Sequence, residues 1–403
     1  MSVGLAYCDR AGRIYYDDCA EPLADGGIVR EVELDEVIPA PPGTVEMILP
    51  GRRALTTEGA LRGKYALAAI LPAGYTRLLV PAYAKEKDAP TLPLFGYTFA
   101  CVVDDELYVA AMKTDESEDW QPRYFDDGEL EAILDRRIGA DPQNRVLAQV
   151  ALCSREYGCF TAQNVFLERG EAALPVSPKC NARCVGCISE QEPETGLASP
   201  QARIAYETTA DELARIGIHH LERVADGIVS FGQGCEGEPL LRSITIARAI
   251  EQIRAKRPNG TINLNTNGSM TDGLRRCIDA GLQAVRVSLN SFRPHAYAAY
   301  YRPIGYDLDD VLASIRLAVE RGLRVSLNLL THPGITDDAE EIAAMTAFLR
   351  EVPVTMIQTR TLNIDPEWYF EAVGRPREPL GMRRAIEAIR HAHVAVGNFT
   401  HTH

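Results

Sequence analysis

The second half of this 403-residue chain alternates between short apolar strands and amphipathic helices, and this alternation constrains the fold more than any other feature. Strands are predicted at residues 172–177, 227–232, 261–267, 284–290, 324–330 and 354–362, and each but the last precedes a predicted helix. Strands connected through helices pair in parallel, with right-handed crossovers. The sequence therefore predicts an α/β fold based on a partial (β/α)6 TIM-like barrel.

The helices of this barrel are predicted from the helical spacing of apolar residues. They cover residues 202–224, 240–256, 271–281, 308–321 and 338–351. A further helix at residues 381–395 is interpreted as a cap on the barrel.

The first part of the chain has a different sequence pattern. Short segments rich in β-branched and aromatic residues are bounded there by Gly, Pro and Asp, which is typical of strands and turns. Asp104 and Asp105 are expected to form a hairpin turn between two of these strands. Helical spacing follows at residues 128–138 and 144–157. We predict an additional N-terminal α+β domain of unknown role at residues 1–165, the barrel at 166–370, and a C-terminal helical extension at 371–403.

Composition and charge exclude several classes of protein. The net charge is −14 and no long basic block is present, so general nucleic-acid binding is not expected. Pro and Gly interrupt the most apolar stretch, residues 66–83, which is too short to span a bilayer. No secretory signal is visible in the first 18 residues, and ten cysteines in a chain of this length are not a disulfide scaffold. We therefore expect a cytoplasmic protein that does not act in a membrane.

Three cysteines with the spacing C-x3-C-x2-C follow the first predicted barrel strand. Three thiolates this close, Cys180, Cys184 and Cys187, suit a [4Fe–4S] cluster with one iron left open to a small molecule. The alternative is a structural zinc site completed by His219 and His220, although zinc prefers paired C-x2-C knuckles. Chemistry in such barrels collects at the carboxyl ends of the strands, where this loop lies.

The cysteine triplet and the segments after later strands resemble the radical S-adenosylmethionine (radical SAM) superfamily over about residues 171–362. Residues 230–239, SFGQGCEGEP, are similar to the glycine-rich motif of that family. The resemblance implies that this motif, with Gly234, Gly237 and Glu238, holds the methionine end of S-adenosylmethionine. It also implies that polar residues at later strand ends bind the rest of the cofactor: Asn267, Ser288, Asn290 and Asn328. The alternative for each is an ordinary role, as a turn glycine or as a cap of the next helix.

One position departs from the pattern of the family. The residue before the third cysteine is usually aromatic there and packs near the adenine, whereas here it is Gly186. The resemblance then implies that the adenine platform comes from elsewhere in the chain.

Weaker candidates for the substrate site are Cys235, within the glycine motif, and Gln358 and Arg360, on the sixth strand. The two strand residues could bind an anionic or amide-bearing substrate, although a salt bridge within the barrel is equally expected of the arginine. Cys153 and Cys159 could ligate a second cluster or be ordinary buried thiols. Asp365 and Glu367 follow the last strand and could equally face solvent.

The resemblance implies a radical enzyme that cleaves S-adenosylmethionine reductively at the cluster, generating a 5′-deoxyadenosyl radical that abstracts hydrogen from an unidentified substrate. It further implies an electron donor such as flavodoxin or ferredoxin. No cobalamin motif, phosphate loop or Cys-rich segment after Cys277 is visible, which disfavours B12 chemistry, an ATP-driven step and a typical peptide maturase. The alternatives are a non-catalytic iron–sulfur protein in electron transfer or binding, and a structural zinc protein.

Overall fold

The computed structural model describes residues 2–115 and 128–398. An N-terminal part built of antiparallel strands is followed by three helices and then by a parallel sheet with its helices. In the described residues no helix is both long and apolar enough to cross a membrane.

The N-terminal part is organised around an antiparallel sheet in which β10, β6, β7, β1, β11, β12 and β5 are neighbours in that order, with β2 paired to β1. Two small sheets, β4-β3-β9 and β13-β8, lie beside it. The strands are β1 (Gly4–Cys8), β2 (Ile14–Asp17), β3 (Leu23–Asp25), β4 (Val29–Glu31), β5 (Ile38–Pro39), β6 (Val45–Thr56), β7 (Gly59–Ile70), β8 (Tyr75–Arg77), β9 (Val80–Pro81), β10 (Tyr83–Lys85), β11 (Thr98–Val103), β12 (Glu106–Val109) and β13 (Ala111–Lys113).

The second part is one parallel sheet whose strands pair in chain order. Its strands are β14 (Glu171–Leu174), β15 (Ile228–Phe231), β16 (Thr261–Thr266), β17 (Ala284–Leu289), β18 (Arg324–Thr331), β19 (Met356–Thr361) and β20 (Ala395–Gly397). The helices are α1 (Leu130–Ala140), α2 (Arg145–Glu156), α3 (Phe160–Leu167), α4 (Ala210–Arg223), α5 (Ser243–Lys256), α6 (Thr271–Asp279), α7 (Pro294–Tyr301), α8 (Leu308–Glu320), α9 (Ala339–Glu351), α10 (Pro366–Val373) and α11 (Met382–His391).

The predicted α/β class and the six barrel strands are confirmed, and β20 extends the sheet by a seventh short strand. The helix interpreted as a cap, α11, instead connects β19 to β20, because the chain turns back after it and pairs in parallel with β19. Its buried face, with Ile386 and Ile389, contributes to the barrel core. The C-terminal helix is therefore part of the barrel's own βα progression.

The helix predicted at residues 202–224 begins later, at Ala210. Thr209 is its N-cap, and a capping box forms in which the Glu212 side chain accepts from the backbone N–H of Thr209 at 2.9 Å. A capping box of this kind satisfies backbone donors that the first turn leaves without partners. It thereby fixes the first turn at Thr209 and excludes residues 202–208 from the helix.

Helices α1–α3 pack on the barrel. Leu134, Val150 and Phe166 are fully buried in the same hydrophobic cluster as the barrel strands, whereas the N-terminal sheets have separate, smaller clusters. The domain boundaries after residues 165 and 370 stay predictions.

Buried polar contacts join the N-terminal part to the barrel. The Arg52 guanidinium lies 2.6 Å from Asp365 Oδ2, and both side chains are almost completely buried. Asp365 also accepts from the backbone N–H of Leu92 and caps α10. The idea that Asp365 faces solvent is therefore wrong, because it is the buried partner of Arg52. Glu367, two residues on, is about one-third exposed and pairs with Lys85.

We expect Asp365→Ala to lower the free energy of unfolding by about 3–5 kcal/mol, because it leaves the buried Arg52 charge without a partner. Glu367→Ala, in the first turn of the helix that Asp365 caps, removes the partly exposed ion pair with Lys85 and should cost less than about 1 kcal/mol. Urea denaturation of both variants measures the difference. Equal small losses would show that the Arg52 charge finds water or another partner.

Candidate active site

A cavity of about 710 Å³ opens at the carboxyl ends of the barrel strands. Most of the predicted site residues line it, namely Cys180, Cys184, Cys187, Gly234, Gly237, Glu238, Asn267, Ser288, Asn328 and Arg360. Leu71, Pro72, Ala73 and Tyr75 of the N-terminal part line its opposite side. A volume of this size is typical of sites for small molecules.

The cysteine loop is held by backbone hydrogen bonds from the end of α7. The backbone N–H groups of Arg183 and Val185 donate to the carbonyls of Tyr301 and Tyr300, at 3.0 and 2.9 Å. This short antiparallel contact fixes the loop between the two outer thiols. The three cysteines therefore face the cavity from a loop that is anchored at its centre.

The three thiols form one electrostatic group. Burial, more than the neighbouring cysteines, raises the pKa of Cys184 well above its usual value, and burial raises the pKa of Cys180 to about 11. The Arg203 guanidinium lies 3.5 Å from Cys187 Sγ and donates to it. The guanidinium thus places a donor and a positive charge beside one of the three thiols.

Among residues 2–115 and 128–398, no three His, Cys, Asp or Glu side chains converge around a single metal ion. Ligands of a cubane cluster stand further apart than those of one ion, because each thiolate binds a different corner iron. His219 and His220 lie at the other end of β14 from the cysteine loop, where His220 bonds to the carbonyl of Gly170. The donor set, three thiols on one loop, fits an iron–sulfur cluster.

The glycine motif packs tightly on the cysteine loop. A Cβ on Gly237 would lie 2.1 Å from the carbonyl oxygen of Lys179 and 2.9 Å from the backbone nitrogen of Cys180. The backbone N–H of Gly237 donates to the Ser177 carbonyl, and that of Glu238 to the Lys179 carbonyl. Only glycine permits this approach, so the motif positions its backbone next to the cysteines.

Two buried glutamates stabilise the motif. Glu236 accepts from the backbone N–H groups of Val176, Ser177 and Gln233, each at 2.7 Å, and burial raises its pKa to about 8 despite these donors. Glu238 accepts from the Thr266 hydroxyl and from the backbone N–H groups of Leu240 and Asn267. Burial raises the pKa of Glu238 to about 7. Both carboxylates hold loops in place, and both residues line the cavity.

Ser288 and Asn328 are adjacent in register on β17 and β18, and Asn328 donates to the Ser288 hydroxyl at 3.3 Å. The side-chain oxygen of Asn328 is buried, and no described residue donates to it. Asn267 donates to the side chain of Asn181 on the cysteine loop. These residues offer hydrogen-bonding groups to a polar ligand.

Three predicted residues are not among those that line the cavity. Asn290 lies one residue past β17 and donates to the Ala296 carbonyl and the Tyr369 hydroxyl, so it braces α7 and α10. Gln358 is fully buried within the sheet. Cys235 is turned toward α2, where its thiol forms a hydrogen bond with the thiol of Cys153 in the hydrophobic core.

The thiols of Cys153 and Cys235 form a hydrogen bond with each other, and Cys159 lies nearby. The hydrogen bond from Cys235 lowers the pKa of Cys153 to about 7, and the same contact together with burial raises that of Cys235. Cys159 also contacts the Thr161 hydroxyl at 3.3 Å. These cysteines pack on the barrel's outer side and do not join the cysteine loop.

The packing around position 186 leaves little room for the aromatic side chain that the family pattern has before the third cysteine. A Cβ there would lie 3.0 Å from the hydroxyl of Tyr300 and 3.3 Å from the carbonyl of Asn363. An aromatic ring from the helix α7, which the sequence did not predict, thus occupies the space beside the third cysteine. Tyr300 and Tyr301 both line the cavity.

Sequence reasoning missed several other residues of the cavity wall: Arg203, Arg286, Tyr300, Tyr301, Asn363 and Asn398. Arg286 could have been found, since it lies two residues before Ser288 and hence on the same face of β17. The tyrosines and Asn398 come from elements absent from the predicted topology.

Comparisons with known proteins agree with this geometry. The Radical SAM superfamily model matches residues 174–346. GTP 3',8-cyclase of Streptomyces coelicolor is 29% identical over 209 residues, covering 50% of this chain and 56% of that protein. The FeMo cofactor biosynthesis protein NifB of Klebsiella pneumoniae is 24% identical over 246 residues, covering 55% and 51%. The chain thus spans about half the length of these curated relatives.

Among solved structures, a radical SAM methyltransferase from Sphaerobacter thermophilus superposes with a TM-score of 0.39 at 17% identity, covering 56% of this chain and 64% of that one. A score this low supports no inference.

Proposed function

We propose that this chain, in which residues 174–346 are a radical SAM domain, is an enzyme that binds a [4Fe–4S] cluster through Cys180, Cys184 and Cys187 and cleaves S-adenosylmethionine reductively. One observation carries the proposal: three thiols and a glycine motif meet at the carboxyl end of the barrel, in one cavity. When bound, the reduced cluster supplies the electron that splits the cofactor into methionine and a 5′-deoxyadenosyl radical, which abstracts hydrogen from the substrate.

The residues of the chain bind, orient and exclude water. The backbone carbonyls of the glycine motif beside Gly237 can accept from the ammonium group of the cofactor's methionine end. Ser288 and Asn328 offer a hydroxyl and an amide oxygen to its more distant polar groups. The N-terminal residues 71–75 cover the cavity and limit the access of water to a reactive radical.

The test is anaerobic reconstitution with iron and sulfide, followed by EPR of the reduced protein with and without S-adenosylmethionine. We expect a [4Fe–4S] signal that changes on adding the cofactor, together with 5′-deoxyadenosine detected by mass spectrometry. A cluster indifferent to the cofactor would favour the alternative, a non-catalytic iron–sulfur protein. Bound zinc without iron would refute the proposal.

A reductant must reach the cluster, and we propose a flavodoxin or ferredoxin of the cytoplasm. A second cavity, of about 490 Å³, shares Cys184 and Cys187 with the first and includes Arg183 and Arg302 in its wall. Arg183 is exposed, and no described residue forms an ion pair with it. The same wall contains Arg203 and two glutamates, Glu190 and Glu192, which pair with Arg203 and Arg302. Arg183 is therefore the positive group of this wall that has no ion-pair partner among the described residues, and it favours approach of an acidic electron-transfer protein.

We expect Arg203→Gln to lower the reduction potential of the cluster by tens of millivolts. The guanidinium that donates to Cys187 Sγ stabilises the reduced, more negative cluster, and glutamine removes that charge. A redox titration followed by EPR measures the shift. Arg302→Gln is the matched control, because both arginines line the second cavity and each pairs with a glutamate, Glu190 for Arg203 and Glu192 for Arg302, but of the two only Arg203 donates to a cysteine sulfur. Equal shifts in both variants would show a long-range charge effect in place of the contact.

A further inference from the structure

We propose that Arg360 binds a carboxylate group of the substrate, with Arg286 positioned behind it. The proposal rests on the proposed function, since it assigns the substrate class of the same cavity. Arg360 lies near the carboxyl end of β19 and lines the cavity.

Within residues 2–115 and 128–398, the Arg360 guanidinium has no direct anionic partner. No described residue forms a hydrogen bond or an ion pair with its side chain, although Glu171 and Asp115 are near enough to stabilise its charge. Burial and the charge of Arg286 lower its pKa to about 10, so it remains charged at neutral pH. Arg360 is partly buried in the cavity wall, where an incoming anion can form charge-assisted hydrogen bonds to its guanidinium.

The nearby carboxylates are engaged elsewhere. Glu171 accepts from the Ser230 hydroxyl at 2.5 Å and pairs with Arg286 at 3.3 Å. Asp115 accepts from the backbone N–H of Asn398 at 2.9 Å. Because these contacts fix both acids, neither is expected to move to Arg360 when the cavity is empty of substrate.

Arg286 is held in place by the same network. Its guanidinium donates to Asn265 Oδ1 at 2.8 Å as well as to Glu171. It therefore adds a fixed positive charge beside Arg360 and cannot swing away. Arg286 is a positioning residue, whereas Arg360 carries the direct contact.

The charges around Arg360 favour a carboxylate over a phosphate group as the ligand. Two guanidiniums and two nearby carboxylates sum to zero before the ligand binds, and only one guanidinium lacks a direct partner. A planar guanidinium matches a planar carboxylate through two parallel hydrogen bonds. By the same sum a bound carboxylate leaves a net charge of about −1 and a phosphate dianion about −2, so the carboxylate is the less costly ligand.

The position of Arg360 separates it from the cofactor's amino-acid end. The glycine motif and Asn267, which contact the cysteine loop, follow β15 and β16. Arg360 is on β19, three strands further along the sheet than β16. We therefore assign this anion site to the substrate and not to the carboxylate of S-adenosylmethionine.

The test measures how fast phenylglyoxal modifies each arginine of the reconstituted full chain. The extent of modification is determined for each peptide by mass spectrometry. The probes are benzoate, its neutral isostere benzamide, inorganic phosphate and S-adenosylmethionine. We expect benzoate to slow modification of Arg360 more than the other three, with or without S-adenosylmethionine present. Arg350, which is exposed on α9, serves as the internal reference.

Two substitutions complete the design. Arg360→Gln and Arg360→Lys should each weaken benzoate binding, measured by calorimetry, by about 10- to 100-fold for the glutamine and less for the lysine. Arg350→Gln should leave it unchanged. The cofactor-induced change in the EPR signal should persist in all three variants, which separates this proposal from the proposed function.

Four results would overturn the carboxylate assignment. They are equal protection by benzoate and benzamide, no protection by benzoate, stronger protection by phosphate, and protection by S-adenosylmethionine alone. Loss of the cofactor-induced EPR change in Arg360→Gln would assign the arginine to the cofactor instead. Absence of that change in the unaltered protein would refute the proposed function, while benzoate protection would still stand.

Discussion

Cys184→Ala should abolish the iron–sulfur cluster and, with it, the cleavage of S-adenosylmethionine. Cys184 is the central member of the triplet, and alanine cannot replace a thiolate ligand. Loss of a residue that merely orients a ligand costs about 10- to 100-fold in affinity or activity, so loss of a ligand should exceed 100-fold. Iron and sulfide content, the EPR signal and 5′-deoxyadenosine formation measure the effect.

The matched control is Cys19→Ala, which removes an exposed thiol in the N-terminal part. It should retain iron, sulfide and cofactor cleavage at the level of the unaltered chain. If Cys184→Ala still assembled a cluster that responds to S-adenosylmethionine, another group would have to be the third ligand. That result would contradict the assignment of the cysteine loop.

Gly237→Ala should disrupt the site almost as severely, although it adds only a methyl group. The new Cβ would lie 2.1 Å from the Lys179 carbonyl oxygen, which belongs to the backbone just before Cys180. Relief of this overlap requires the cysteine loop or the glycine motif to move, and overpacking of this kind costs about 1–3 kcal/mol. We expect affinity for S-adenosylmethionine to fall by at least about 10-fold, as 1.4 kcal/mol corresponds to a factor of ten.

Gly234→Ala is the control within the same motif. Its Cβ would meet Ile188 Cδ1 at 2.8 Å and Gln201 Oε1 at 2.9 Å, which are the ends of flexible side chains that can move aside. Isothermal calorimetry with S-adenosylmethionine on both variants compares them directly. Equal affinities would show that contact with the Lys179 backbone does not position the motif.

The sequence was sufficient to predict the barrel because each strand is a short apolar run followed by a helical pattern. Ser288 and Asn328 line the cavity because polar residues at the ends of parallel strands converge on one edge of the sheet, and their role in binding the cofactor stays a prediction. Asn290 shows the limit of that argument. It lies beyond the last hydrogen-bonded pair of β17, so the alternation of faces no longer applies to it.

The long hairpin of β6 and β7 was not predicted, because Pro50, Gly51 and two arginines break the alternation of apolar residues within β6. In the structure, the pairing of β6 with β7 shifts in register at this point, between Ile48 and Leu55. The position of the tyrosine beside Gly186 could not be predicted from the sequence either. Tyr300 follows the cysteine loop by more than 100 residues, and only tertiary packing brings the two together.

Arg77 has a consequence for how this chain can be divided. It is completely buried, and its guanidinium donates to the Tyr97 carbonyl of the N-terminal part and to the Leu362 carbonyl that follows β19. A truncation between the two parts would leave a bare charge on one fragment and orphaned carbonyls on the other. We therefore expect the barrel expressed without residues 1–115 to be less stable than it is in the full chain.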